Sequence, residues 1–512
     1  MKRAWKPLLS LTLAAGVLNV SLLSGSVAAQ TSAPQTPAAR TPAPLRAREK
    51  KEQTIARLER LIPQLMAEGD VPGLSVALVR GGELVWHRGF GVRNSATKEP
   101  VGPDTVFEAA SLSKPVFAYA VLKLVDAGKL DLDAPLNKYL PGNYDVGEDA
   151  RLAQITARRV LSHTTGFPNW RPRSGADTAL KIFFTPGERF SYSGEGFVYL
   201  AKAVEQLTGE KFDSFMKRTV FDPLGMTSSS YVWQDRFDAL KIFTHNAAGL
   251  PAGQNKPERA NAAASLQTTA ADYGRFVAAV LKGTGLKRAT ARLMVAPQVK
   301  VGAGSNSITR PLGELSPNVS WGLGWGLQTT DDGVAVWHWG DNGNTKAFVV
   351  AYPEQKTGVV FFTNSANGLS IARELVGETI GGRQPALDWI NYESYNSPGR
   401  TLFKSIMSKG AVAALRDYRE WRKGHAAEAL DERAMNRLGY DLLNMKKVAE
   451  AIEVFKQNVE DYPQSSNVYD SLGEAYMKAG DKEQAIKNYQ RSVELDPNNT
   501  AGAETLKKLQ TP

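Results

Sequence analysis

An α/β sandwich built on an antiparallel sheet flanked by helices, with an all-α repeat domain behind it, is the fold class this sequence predicts. Three observations predict it. Strand-patterned segments cluster near residues 74–87 and again near 321–363. The stretch between them, about residues 111–286, is helical and loop-rich. After about residue 381 the strands stop and a 34-residue period appears. Strands at both ends of a domain with helices between them imply a sheet closed by distant segments, not alternating βαβ units.

The chain has 512 residues, too many for one ordinary core, and its 42% hydrophobic and 22% charged residues are those of a globular protein. It opens with Lys2, Arg3 and Lys6, then an apolar run at about residues 8–23, then the small residues Val27, Ala28 and Ala29. That is the order of a signal peptide. The run is short for a membrane span and is interrupted by Thr12, Asn19 and Ser21; the alternative is an uncleaved anchor. Without the three cations the formal charge drops from +10 to +7, and the remaining Lys and Arg are scattered. No nucleic-acid motif accompanies them. There is no cysteine, which excludes disulfides, thiolate zinc sites and cysteine nucleophiles together.

Pro34, Pro37, Pro42 and Pro44 lie in an Ala/Pro/Thr/Gln segment that reads as a linker. A helical pattern follows over residues 48–68, where Ile55, Leu58, Leu61, Ile62 and Leu65 share one face. Residues 74–79 and 84–87 read as a hairpin turning at Gly81 and Gly82. Further strands are expected near 321–327, 334–339, 347–352 and 359–363. In the last part, Leu438-Gly439 recurs as Leu472-Gly473, Ala451-Ile452 as Ala485-Ile486, and Pro463 as Pro497. Each offset is 34 residues, the period of a tetratricopeptide repeat. The stretch 411–422 is expected to add a packing layer to these two repeats.

The chemistry rests on Ser-x-x-Lys, which places a hydroxyl and an amine one helical turn apart on the same face. A lysine in a dry site can lose its proton and take one from serine. The spacing alone is weak, because it occurs three times: at Ser95/Lys98, Ser214/Lys217 and Ser111/Lys114. The first falls in a polar turn and the second on a solvated helix face. Ser111 opens an apolar helix, where backbone N–H groups favour an incipient oxyanion; in isolation it reads equally as an N-cap. The five histidines show no pair at metal-ligand spacing, so neither a metal nor another cofactor is expected.

The segments around Ser111 sharpen this. Residues 104–114 (DTVFEAASLSK), 161–168 (LSHTTGFP), 186–193 (PGERFSYS), 321–326 (WGLGWG) and 338–340 (HWG) stand in this order. Together they resemble the serine β-lactamase and penicillin-binding protein superfamily, in its class C-like, esterase-type branch, over about residues 50–380. The resemblance implies a β-lactamase-like fold and an acyl-enzyme. Ser111 would be the nucleophile, Lys114 would hold its proton network, and Tyr192 would be the general base, its phenol pKa lowered by lysine charge. His338 and Gly340 would form the third, substrate-binding motif, and the backbone N–H groups of Ser111 and Asp341 the oxyanion hole. His163 reads better as a structural loop histidine. The sequence departs at Gly194, where the resemblance implies an asparagine, and this argues against efficient β-lactam or peptide turnover. Lys356-Thr357-Gly358 matches another version of the third motif but falls at the wrong end of its strand, so His338 is preferred.

The resulting organisation is a signal peptide (1–29), a linker (30–47), a β-lactamase-like serine hydrolase domain (48–385), a helical connector (386–430) and tetratricopeptide repeats (431–512). The expected protein is an exported, periplasmic or secreted serine hydrolase acting on an ester, amide or β-lactam. It takes a small-molecule or peptide substrate, has a protein partner for its repeats, and inserts in no membrane once the signal is removed. The alternatives are a catalytically idle binding or sensor protein that uses the repeats for docking, and repeats that only cap the hydrolase.

Overall fold

The structure is a computed structural model that describes residues 45–511 apart from 47–48, 143, 173–177, 304–307 and 310–312. The expected signal peptide, the linker except Leu45 and Arg46, and the expected helix start at Arg48 lie outside the described residues.

Eight strands form one sheet: β1 (Gly73–Arg80), β2 (Glu83–Gly91), β3 (Val299–Gly302), β4 (Leu315–Trp321), β5 (Gly326–Thr330), β6 (Gly333–Asp341), β7 (Lys346–Tyr352) and β8 (Thr357–Thr363). Their order is β2-β1-β8-β7-β6-β5-β4-β3, antiparallel throughout. The sheet is closed by the two ends of the domain, with Val76 opposite Phe361 and Ala77 opposite Val360.

Alternation along the strands explains the layers. In β7, Ala347, Val349 and Ala351 join one core, while Phe348, Val350 and Tyr352 join the other. Both faces are buried, so these strands read as unbroken hydrophobic runs. The Lys51–Gly69 helix covers one face with Leu58, Ile62 and Leu65, at helical spacing, assisted by the Ala372–Thr379 helix. Each such side chain contributes roughly 1.5–3 kcal/mol. The Ser113–Asp126 and Ala270–Lys282 helices cover the opposite face.

One expected strand, residues 321–327, is instead a corner. β4 ends at Trp321 and β5 starts at Gly326, and Gly322 N–H donates to Trp325 O at 2.8 Å. Gly324, at φ +82°, makes a turn that the alternating W-G-L-G-W-G pattern disguised as a strand.

Behind the sheet come the helices Pro398–Lys409, Ala411–Arg422, Glu432–Asn444, Val448–Asp461, Ser466–Ala479, Lys482–Leu495 and Thr500–Gln510. Phe455 packs on Gly439, and Tyr489, 34 residues further along, packs on Gly473. The Ala411–Arg422 helix adds the expected layer through Leu415 and Tyr418, and Arg422 pairs with Asp461 at 2.7 Å. Arg400 and Lys404 each reach Asp70 at 3.3 Å, and so tie the helical part to the end of the Lys51–Gly69 helix. Among the described residues no helix is long and apolar enough to cross a membrane.

Candidate active site

Ser111 lies in a 3-10 turn, Ala110–Leu112, between the short strand Phe107–Glu108 and the Ser113–Asp126 helix. The strand pairs with Gln267–Thr268, and Ala109 N–H donates to Leu266 O at 2.8 Å. Ala110 then takes a left-handed φ of +47°, which costs a non-glycine residue about 1 kcal/mol. The surroundings hold that bend. Tyr231 and Tyr273, both buried, donate to Ser113 O at 2.7 Å and Leu112 O at 2.9 Å. The Ser113 hydroxyl donates to Ala110 O at 2.5 Å. Gly340 on β6 allows the close approach: a Cβ there would stand 2.5 Å from Ala109 O. Ser111 itself stays partly accessible.

Lys114, one turn along, is fully buried. Its Nζ sits 3.1 Å from Ser111 Oγ and donates to Ala263 O at 2.9 Å. Around it stand the rings of Tyr192 (4.6 Å to the centroid), Phe197 (5.7 Å) and Trp170 (6.0 Å). Burial alone pushes the amine well below the ordinary lysine pKa of 10.5. The amine is thus held 3.1 Å from a hydroxyl with its charged form disfavoured.

Tyr192 corrects the sequence-based expectation. Its hydroxyl is buried and has no well-formed hydrogen bond, and its ring is packed among His163 (4.3 Å), Trp339 (5.0 Å), Trp321 (5.9 Å) and His338 (6.0 Å). Burial raises the phenol pKa, and Ser111 lowers it only in part. The expected depression by lysine charge is not found, because burial of the phenol outweighs the one contact, with Ser111, that lowers its pKa. Tyr192 is a proton donor here, not a phenolate.

Strand alternation turns Val336, His338 and Gly340 toward the Ser111 side of the sheet. His338 is fully buried and donates from Nδ1 to Trp339 O at 2.8 Å, which leaves Nε2 without a proton or a partner. Burial, with Lys114 second, lowers its pKa to about 3. It carries no charge at neutral pH, and its side chain lies under the cleft floor. Beyond Trp337, which pairs with Gly326, β6 has no β5 partner. Asn342 N–H bonds Thr345 O on the β7 side at 3.2 Å, so alternation points the Asp341 N–H to the open edge. The Asp341 carboxylate accepts from Lys346 and Tyr392. Lys356 lies beyond the Tyr352–Thr357 pair, at the far end of β7 from the Gly340–Ala347 pair, and is exposed.

The loop histidine named from the sequence has a positioning place here, and sequence reasoning missed three other contributors, Glu108, Lys241 and Trp170. His163, at φ +56°, accepts the Ser193 N–H on Nδ1 at 3.0 Å while stacking on Tyr192, so this loop histidine positions the tyrosine. Glu108, also buried, accepts from Asn342 at 3.1 Å and Asn255 at 3.2 Å, tying the turn after β6 to the Ser111 strand. Lys241 lies 3.9 Å from Glu108, and burial lowers its pKa to about 8 against the opposing pull of that carboxylate. The available signal was a charged residue inside the apolar run 105–110. Trp170 is the third, and its indole fills the space beside Gly194. Among the described residues no group of three or more His, Asp or Glu could hold a metal ion.

The family described as Beta-lactamase matches residues 58–376, and two descriptions of the tetratricopeptide repeat match residues 433–465 and 466–499. Penicillin-binding protein 4 of Amycolatopsis lactamdurans is 28% identical over 355 residues, which cover 63% of this chain and 89% of that protein. Protein flp of Staphylococcus aureus (strain N315) is 22% identical over 325 residues, 60% of this chain and 62% of flp. Among solved structures, the octameric penicillin-binding protein homologue from Pyrococcus abyssi superposes with a TM-score of 0.53 at 24% identity, over 63% of this chain and 76% of that one. D-alanine carboxypeptidase AmpC from Burkholderia cenocepacia superposes with a TM-score of 0.53 at 19% identity, over 64% and 99%. The structural likenesses bear on the fold.

Proposed function

The chain belongs to the beta-lactamase family, and from that premise we propose that it is a hydrolase that acylates itself on Ser111 and releases the acyl group to water. The observation that carries this is Lys114: a fully buried amine whose charged form is disfavoured by desolvation, 3.1 Å from a partly accessible serine hydroxyl. An ester or small amide is the substrate class. A β-lactam or a peptide ending in D-alanine comes second, because Gly194 offers no side-chain amide donor. The protein is exported to the periplasm or medium, and its repeats dock a protein partner.

In the acylation step the Ser111 proton passes to Lys114 Nζ while Oγ bonds to the acyl carbon. The carbonyl oxygen becomes an oxyanion facing the N–H groups of Ser111 and Asp341. As the bond to the leaving group breaks, Tyr192 gives that group its proton, and Lys114 returns a proton to Tyr192. The oxyanion re-forms the carbonyl, and both side chains are again neutral. Deacylation runs the same way with water. Water loses a proton to Lys114 as its oxygen bonds to the acyl carbon. Ser111 Oγ leaves with that proton, and the free acid is released.

The test is intact-mass spectrometry after exposure to a fluorophosphonate and, separately, to a labelled penicillin, with Ser111→Ala as control. A serine-dependent fluorophosphonate adduct is expected. No adduct on folded protein would replace this reading with that of a catalytically idle binding protein.

A further inference from the structure

Gly194 opens the Gly194–Thr208 helix two residues after Tyr192, and its N–H is held by Asn169 through the backbone carbonyl and the side-chain oxygen, each at 3.0 Å. The space a side chain would need there is already filled. A Cβ would stand 2.6 Å from Trp170 Cη2 and 2.8 Å from both Asn169 O and Trp170 Cζ2. The indole lies against the bare backbone next to the candidate proton donor, with Lys114 Nζ between it and Ser111. Its remaining surface is not covered: Trp170 is 39% exposed and Phe183 42%. Both line a cavity of about 360 Å³ whose wall also includes Pro168 and Pro172. That is the small end of the range for small-ligand pockets, about 300–1,000 Å³.

Arg171 and Lys181 share the wall, and the Arg171 charge is offset where it stands. The Arg171 guanidinium is engaged by Glu195 at 2.9 Å and Asp145 at 3.2 Å. Two aromatic rings left in contact with water, one of them 6.0 Å from the Lys114 amine, gain on burial by an apolar group. Trp170 belongs to both places, since it lines the cavity and its ring centroid stands 6.0 Å from Lys114 Nζ, so a group attached to the acyl carbon or to its leaving atom is the one in reach of it.

Resting on the reading of Ser111 as nucleophile, we infer that Trp170 and Phe183 form the acyl-group subsite, which takes aryl or medium-chain alkyl acyl groups without an amide. Trp170 thereby sets specificity, and Gly194 is the residue that admits it.

The experiment measures kcat/KM for p-nitrophenyl acetate, butyrate, octanoate and phenylacetate in the full chain, beside fluorophosphonate labelling of Ser111. The phenylacetate and octanoate values should exceed the acetate value by at least about tenfold. In Trp170→Ala the phenylacetate-to-acetate ratio should fall about tenfold, and Trp170→Phe should restore most of it. Phe183→Ala, at an exposed position, should lower the ratio by a smaller factor and stands in if the Trp170 variant does not fold. Gly194→Asn should lower the thermal midpoint, and by less together with Trp170→Ala, which removes the indole contacts but not the one with Asn169 O. A chain-length profile that is flat, or that neither Trp170→Ala nor Phe183→Ala changes, in protein whose Ser111 still labels, overturns the subsite and leaves the hydrolase standing. Failure of Ser111 to label overturns both.

Discussion

Ser111/Lys114 and Ser214/Lys217 share one spacing, the first running from a 3-10 turn into an α-helix and the second from an α-helix into a π-turn, yet they occupy opposite environments. Lys114 is enclosed by the Tyr192, Phe197 and Trp170 rings and touches no carboxylate. Lys217 has 64% of its side chain in solvent and pairs with Asp222 at 2.5 Å, while Ser214 is exposed beside it. Lys241 stands between the two: buried like Lys114, but 3.9 Å from Glu108, and lowered only to about 8. The two buried lysines show that burial without counter-charge, more than the Ser-x-x-Lys spacing, is what disfavours the protonated amine. An exposed pair of this kind is ordinary surface.

The sharpest way to break the contrast is Ser111→Ala, which should lower ester hydrolysis by about 10⁴-fold or more, as loss of a serine nucleophile does. Unchanged turnover in the purified variant would place the chemistry elsewhere. Lys114→Met should cost about 10³-fold in kcat and at the same time raise the thermal midpoint at neutral pH. The sign follows from linkage. The folded pKa lies below the unfolded value, so between the two only the unfolded chain binds the proton, and stability rises with pH across that window. Removing the amine removes that destabilisation. In the wild type, kcat/KM should fall as pH falls through the lowered Lys114 pKa, a limb absent from the residual activity of the variant.

Tyr192→Phe should lower kcat by about 10²-fold with little change in KM, the size of a lost proton donor. The loss should shrink for esters of more acidic phenols, whose leaving groups need no proton. Equal losses across the series would return Tyr192 to a purely structural place in its aromatic cage. Smallest of all, Lys217→Ala should leave kcat/KM within about twofold, measured on the same ester. A larger loss would mean that spacing, not burial, governs the second segment as well.

Much of the architecture was legible because its signals are periodic and local. Short hydrophobic runs bounded by turns marked β1, β2, β7 and β8, helical spacing of Leu58, Ile62 and Leu65 marked the first helix, and a 34-residue offset marked the repeats. The corner at residues 322–325 escaped because glycine alternating with aromatics mimics a strand. The ordered segments from residue 104 to 340 pointed to Ser111, Lys114, Tyr192 and His338 before any coordinates. The structure brings them together. The protonation of Tyr192 was misread from the same residues, and Glu108, Lys241 and Trp170 were not singled out at all.

The sequence by itself determined which elements form, in what order, and which hydroxyl and amine lie one turn apart, since each depends on neighbours a few residues away. Only the tertiary structure decided that burial lowers the Lys114 pKa, that burial raises the Tyr192 pKa, that His338 is buried and uncharged, and that Trp170 fills the space beside Gly194. Those properties come from removing water and from contacts such as Lys114 with Ala263 and Asn342 with Glu108. Desolvation depends on everything that surrounds a group, and here its surroundings arrive from segments more than a hundred residues apart.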